Sequence, residues 1–120
     1  IDSNPIINIG FKSIFKNSVM FEVAAFSNNK NEINEIMNQQ EIDLVISEIN
    51  FKDGNVKDVL KLFKKKEIDI PLVIFTSESN ENKSINLLKF GASGFITKNL
   101  NTPVGKRIKS LRSANKQKRI

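Results

Sequence analysis

The stretch Ile42-Asp43-Leu44-Val45-Ile46-Ser47-Glu48-Ile49-Asn50-Phe51-Lys52-Asp53-Gly54 decides the fold. Ile42 to Ile46 is a mostly apolar run of strand length, rich in β-branched residues. Such a run reads as a strand covered on both faces, as in a parallel sheet with helices above and below. The run ends in a carboxylate, Glu48, and then in the turn former Asp53-Gly54. In sheets of this kind function sits outside the carboxyl ends of the strands, which places Glu48 where chemistry is expected.

Working outward, the same alternation recurs. Downstream, Val56, Val59, Leu60 and Phe63 give a helical stripe that ends in Lys64-Lys65-Lys66, where cations suit the helix dipole. Pro71 then opens the strand Leu72-Val73-Ile74-Phe75-Thr76. Ser79 or Asn80 is expected to cap a helix carrying Ile85, Leu88 and Phe90, stopped by Gly91, and Gly94 to Thr97 reads as a short strand before Lys98. Thr102-Pro103 starts a last helix with Val104, Ile108 and Leu111 on its apolar side. Upstream, Ile33, Ile36 and Met37 predict a helix at about 30–39, and Met20 to Ala25 a short strand. Asn4-Pro5 begins a helix at about 5–17 whose apolar positions include Ile7, Phe11 and Ile14. The Phe11 and Phe15 pair is expected in the core.

Strands alternating with helices predict a parallel sheet with right-handed crossovers. One feature is unusual. Only Ile1-Asp2 precedes the first helix, so most of a first strand is expected to lie outside this chain. A gap at the sheet centre would leave two rows of backbone groups unpaired. The expectation is therefore an upstream apolar segment, or a segment supplied by a neighbouring chain.

With 120 residues the chain has room for one domain with a real core. It has no Cys and no His, which excludes thiol catalysis, histidine base chemistry and the usual zinc sites. No apolar run approaches membrane-spanning length and no signal peptide is seen, so a soluble, cytoplasmic protein without membrane attachment is expected. The net charge is +6, but Lys106, Arg107, Lys109, Arg112, Lys116, Lys118 and Arg119 put +7 in residues 101–120 with no acid; 6 minus 7 leaves −1 for residues 1–100. No aromatic is interleaved with these cations, so the tail reads as a solvated helix face and linker, with weak, salt-sensitive and unselective attraction to nucleic acid.

Four signals in this order resemble a bacterial response-regulator receiver domain of the NarL/FixJ-like branch. Ile1-Asp2-Ser3-Asn4-Pro5 resembles the end of the first strand with its acidic pair. Asp43 to Gly54 resembles the third strand, the phosphoacceptor and the following loop. Pro71-Leu72-Val73-Ile74-Phe75-Thr76-Ser77 resembles the fourth strand with its switch hydroxyl, and Gly91-Ala92-Ser93-Gly94-Phe95-Ile96-Thr97-Lys98 the last strand with its lysine. The resemblance implies a flavodoxin-like (CheY-like) three-layer α/β sandwich with a parallel five-stranded sheet of order 2-1-3-4-5. It implies a receiver domain at 1–112 and a basic extension or linker at 113–120.

The departures are specific. The phosphoacceptor position, normally Asp, is Glu48. The second member of the acidic pair, normally a magnesium ligand, is Ser3. Lys52 and Asn99 stand where prolines are usual, and the switch aromatic is Phe95, without a hydroxyl. Thr76, Ser77 and Lys98 occupy the switch and phosphate-contact positions, and Asn50 can offer a backbone carbonyl to the acidic pocket. A receiver that accepts phosphate needs Mg²⁺ and a lysine to neutralise the charge on the transferred phosphoryl group. Mg²⁺ wants octahedral oxygens at about 2.0–2.1 Å, and Glu48, one methylene longer than Asp, would place its carboxylate where the metal or phosphoryl group belongs. No cofactor is therefore expected, with Mg²⁺ held weakly through Asp2 and Glu48 if at all.

The reading is a degenerate receiver without enzymatic activity. It would work in signal transduction and transcription regulation as a phosphorylation-independent interaction or dimerisation module. The resemblance implies a protein partner or homodimer and a DNA-binding effector domain outside these residues, with no specific nucleic-acid binding by this chain. The alternatives are a receiver still phosphorylated on Glu48, favoured by Thr76 and Lys98, and a flavodoxin-like binder of a small anion anchored by Lys98. Glu48, Asp2 and Lys98 are expected to converge, partly solvated. Thr76 is open between a switch and a solvated strand end, and Phe95 is expected in the core.

Overall fold

Asn4 starts the first element. Its side-chain oxygen accepts from the Ile6 N–H at 3.0 Å, and Pro5 sits in the first turn, where no N–H is missed. The computed structural model describes residues 1–77, 81–98 and 118–120. In chain order the elements are α1 (Pro5–Phe15), β1 (Phe21–Glu22), α2 (Ile33–Gln39), β2 (Val45–Ser47), β3 (Asn50–Phe51), β4 (Gly54–Asn55), α3 (Val56–Lys65), β5 (Leu72–Thr76), α4 (Glu81–Phe90), β6 (Gly94–Thr97) and β7 (Lys118–Arg119).

The β5 strand is the hub. It pairs in parallel with β2, Ile46 opposite Val73, and with β6, Phe75 opposite Ile96. Alternation along it feeds two cores. Leu72 and Ile74 join Val45, Val56, Val59, Leu60, Phe63, Leu87 and Ile33 on the face covered by α2, α3 and α4. Val73 and Phe75 join Phe15, Phe21, Leu44, Ile46 and Ile96 on the α1 face. Phe11 stacks on Phe15 and meets Phe75 edge-on at 5.5 Å between ring centres, so the phenylalanine pair belongs to the core. The three-layer sandwich expected from the sequence is present. The cap at Ser79 or Asn80, the helix after Thr102-Pro103 and the boundary near residue 112 lie outside the described residues.

The sheet centre differs from expectation. Between β1 and β2, the place of a first strand is occupied from two directions by the chain itself. At the carboxyl end, the Ile1 carbonyl accepts from Glu48 N–H at 2.9 Å, and Asp2 N–H donates to Ser27 O at 3.0 Å. At the other end, β7 runs parallel to β1, Phe21 opposite Lys118 and Glu22 opposite Arg119. The Arg119 carbonyl then accepts from Asp43 N–H at 2.8 Å and Leu44 N–H at 3.1 Å, joining β7 to the β2 segment. The expected solvated extension is thus corrected for residues 118–120, which are paired. Unmet backbone donors on both sides are the reason: pairing satisfies them, and solvating the tail would not.

The short hairpin of β3 and β4, Phe51 opposite Gly54, was not expected; a turn had been. Its second strand caps α3. The Asn55 side chain accepts from Lys57 N–H at 2.9 Å, and Asp58 accepts from Asn55 N–H at 3.0 Å, a reciprocal capping box. Gly54 is required beside it, because a Cβ there would lie 2.5 Å from the Asp58 carboxylate. Asn55→Ala is expected to lower the unfolding free energy by about 1 kcal/mol. Urea titration should show a lower midpoint at unchanged slope. Gly91 ends α4 with φ +131°, backbone that side-chain-bearing residues rarely adopt.

Candidate functional site

Three strand ends deliver the site. Ile1-Asp2 leaves the sheet centre, Glu48 follows β2 directly, and Lys98 follows β6 directly, its N–H donating to Thr76 O at 2.8 Å. Parallel strands all finish on one side, so residues far apart in sequence meet there. The Lys98 Nζ donates to Glu48 Oε2 at 2.8 Å and to Asp2 Oδ2 at 3.1 Å. The remaining carboxylate oxygens are also engaged. Glu48 Oε1 accepts from Ile49 N–H at 2.7 Å, and Asp2 Oδ1 accepts from Asn4 N–H at 2.9 Å. The ammonium lies 5.2 Å from the centre of the Phe75 ring, a cation–π distance.

The triad is partly buried. The side chains of Lys98, Glu48 and Asp2 are 20%, 16% and 9% exposed. The Lys98–Glu48 pair is thus partly solvated, as expected, and Asp2 is its most buried member. Burial alone pushes the Lys98 ammonium down, but its hydrogen bonds to Glu48 and Asp2, and their charges, outweigh burial and hold its pKa above the ordinary value of 10.5.

The other residues singled out from the sequence are spread around this centre. Ser3 and Asn50 are exposed, the latter paired with Asn55 in the hairpin. Thr76 is buried, so the solvated strand end is ruled out for it, and Ser77 next to it is exposed. Phe95 is 36% exposed and therefore does not belong to the core. Alternation on β6 sends Ile96 inward to the α1 face, and Phe95 is left at the open rim of the other face. The contacts from Asn4, Ile49 and Phe75 went unread. Asp2-Ser3-Asn4 carried one usable signal, since Asp commonly accepts from the N–H two residues on. Among the described residues no group of three or more acids could hold a metal ion, and no helix is long and apolar enough to cross a membrane.

Chemically, the arrangement bridges two inward carboxylates with one cation, leaving one negative charge over the three groups. It is the geometry of an acidic pocket at the mouth of a parallel sheet, with the lysine seated against the acids. Comparison with known proteins bears on the family and the fold. The chain is 28% identical over 98 residues to the nitrate/nitrite response regulator protein homolog of Haemophilus influenzae, covering 82% of this chain and 47% of that one. It therefore spans about half the length of that relative. Its fold is similar to that of RcsB from Salmonella enterica serovar Typhimurium, solved bound to the promoter rprA (TM-score 0.79, 15% identity, 95% of this chain and 66% of that one). It is also similar to a response regulator from Thermotoga maritima (TM-score 0.74, 18% identity, 92% and 91%). The family model of the response regulator receiver domain matches residues 1–107, and the chain belongs to that family.

Proposed function

We propose that this receiver domain works as a phosphorylation-independent interaction module in two-component signalling, held in one conformation by the Lys98–Glu48–Asp2 triad. The observation that carries the reading is the occupation of all four carboxylate oxygens, two by the Lys98 ammonium and two by backbone N–H groups. In such a pocket the carboxylate at Glu48 is tied down before any phosphodonor arrives. The donor set does not suit Mg²⁺. A divalent ion would have to displace an ammonium and then find further oxygens, and Ser3 and Asn50 point to exposed surface without charge. No phosphoryl step is therefore assigned to this chain, and it is read as a non-enzymatic, cytoplasmic domain.

The partner is a protein, either another copy or an effector. By similarity to RcsB and to the nitrate/nitrite regulator homolog, a DNA-binding domain outside these 120 residues is the natural effector, and sequence selectivity would reside there.

The test is to incubate the wild-type chain with Mg²⁺ and acetyl phosphate or beryllofluoride, and to follow intact mass and chemical shifts. No adduct and no saturable shift at Thr76 or Phe95 are expected. A stoichiometric phosphoryl adduct on Glu48 would instead establish an active receiver. Ser3→Asp with Glu48→Asp together are expected to restore part of the metal response, and either alone little, because metal and nucleophile are needed at once.

A further inference from the structure

The helix layer formed by α2, α3 and α4 sorts its charges by helix. No lysine or arginine occurs between Asn31 and Phe51, and α2 with its flanks presents Glu32, Glu35 and Glu41, all exposed. The next helix is the reverse. Across α3 and its C-cap, Lys57, Lys61, Lys64, Lys65 and Lys66 are all exposed, against one acid, Asp58. That acid is already engaged, closing the capping box and lying 3.9 Å from Lys30 Nζ. Val56, Val59, Leu60 and Phe63 turn the other side of the helix inward, so Lys57, Lys61, Lys64 and Lys65 share one outward ridge. Among the described residues none of these four is paired with a carboxylate, and Lys57 lies over the Phe90 ring, 5.7 Å from its centre. The two helices are neighbours: Lys66 Nζ donates to Asn34 Oδ1, and Ile33 of α2 shares a core with the buried side of α3. Met37 on α2 and Leu62 on α3 are only half-buried, which leaves apolar surface beside the charges.

We propose that this layer is a self-association surface, on which the lysine ridge of α3 in one copy lies against the acidic side of α2 in a second copy, and the reverse. A two-fold axis running between the neighbouring helices, in the plane of the interface, sets each α2 opposite the other copy's α3, so the same contact is made twice. Arrangements that set α2 on α2 or α3 on α3 bring like charges together and are disfavoured. The lysines alone would also attract a polyanion such as nucleic acid, but the acids of α2 beside them repel one and complement a second copy. Exposed ion pairs contribute little singly, so the dimer is weak and salt-sensitive, and the adaptable side chain of Met37 adds apolar contact. The proposal rests on the reading of the chain as an interaction module and names its surface and partner. It makes no use of Glu48, so a phosphoryl adduct there would sink that reading and leave this one standing.

The test is sedimentation equilibrium on the full 120-residue chain, without phosphodonor. In about 0.01 M salt, where charges act over about 30 Å, the average mass is expected to rise towards the dimer with concentration. In about 1 M salt, where the range is about 3 Å, the association constant should fall at least tenfold. A chain that stays monomeric at low salt up to about 1 mM overturns the proposal. Lys61→Glu with Lys65→Glu, and separately Glu32→Lys with Glu35→Lys, are each expected to weaken association at least tenfold. Urea midpoints near that of the wild type show that the variants are folded. Where one is not, the neutral pair Lys61→Gln with Lys65→Gln, or Glu32→Gln with Glu35→Gln, is measured for the same loss. Mixed in equal amounts, the two charge-reversed variants are expected to form a heterodimer about as strong as the wild-type dimer, because each reversed helix again meets its opposite. Folded variants that do not recover on mixing overturn the proposal. Dimers that persist in both variants come from another face and also overturn it. Loss in the α2 variant alone would make another basic segment the partner of the acids and overturn the role of α3.

Discussion

Ile74→Ala is expected to lower the unfolding free energy by about 2–5 kcal/mol, the range for emptying a well-packed aliphatic site. Ile74 is fully buried at 0% exposure, in the strand that both β2 and β6 pair with. Its backbone stands opposite Ser47 and Phe95, so the surrounding sheet cannot shift to close the hole without disturbing two ladders. The loss is expected as a lower urea midpoint with an unchanged slope. Ile74→Val, which removes one methylene, should cost about 0.5–1.5 kcal/mol. Equal stability of Ile74→Ala and the wild type would mean that the core is not packed around β5 as described.

Lys98→Met is expected to be the next most damaging, at roughly 2–4 kcal/mol, because it leaves two nearly buried carboxylates without their cation. Methionine keeps most of the stem, so the loss reports charge and hydrogen bonds and not packing. Its pH dependence follows from the sign of the shift. The folded-state pKa of Lys98 lies above the ordinary 10.5, so its contribution is fully present below 10.5 and is lost as pH rises through the folded value. The stability difference between wild type and Lys98→Met should hold level up to about pH 10 on the lysine side and shrink above it. A difference that grew with alkalinity would contradict the triad.

The buried strands were legible because parallel strands covered on both faces write themselves as unbroken apolar runs; Leu72 to Phe75 is one, and β5 was read at Leu72–Thr76. Met20 to Ala25 was read too long, since β1 extends only as far as β7 offers it a partner. The hairpin at Asn50 to Asn55 has Lys52-Asp53 as its turn residues, so the Asp53-Gly54 pair sits one position past the two-residue loop it would have announced. The meeting of Lys98 with Glu48 was readable from the order of the strand ends. The filling of every other carboxylate oxygen was not, because backbone N–H groups leave no mark in a sequence. Arg119 was hidden in a run of like charges. Only the fold collects Glu22, Gln40, Glu41 and Asp43 around it.

Joining β7 to β1 and to the segment before β2 also sets a timetable. Arg119 meets Glu22 across 97 positions and Asp43 across 76. As the chain is translated, Glu22 and Asp43 emerge well before Lys118-Arg119 is made, so this pairing closes late. Closure over so long a loop is also entropically slow, so in refolding from denaturant the protection of Ala24, Asp43 and Leu44 should lag behind that of Val73 to Phe75.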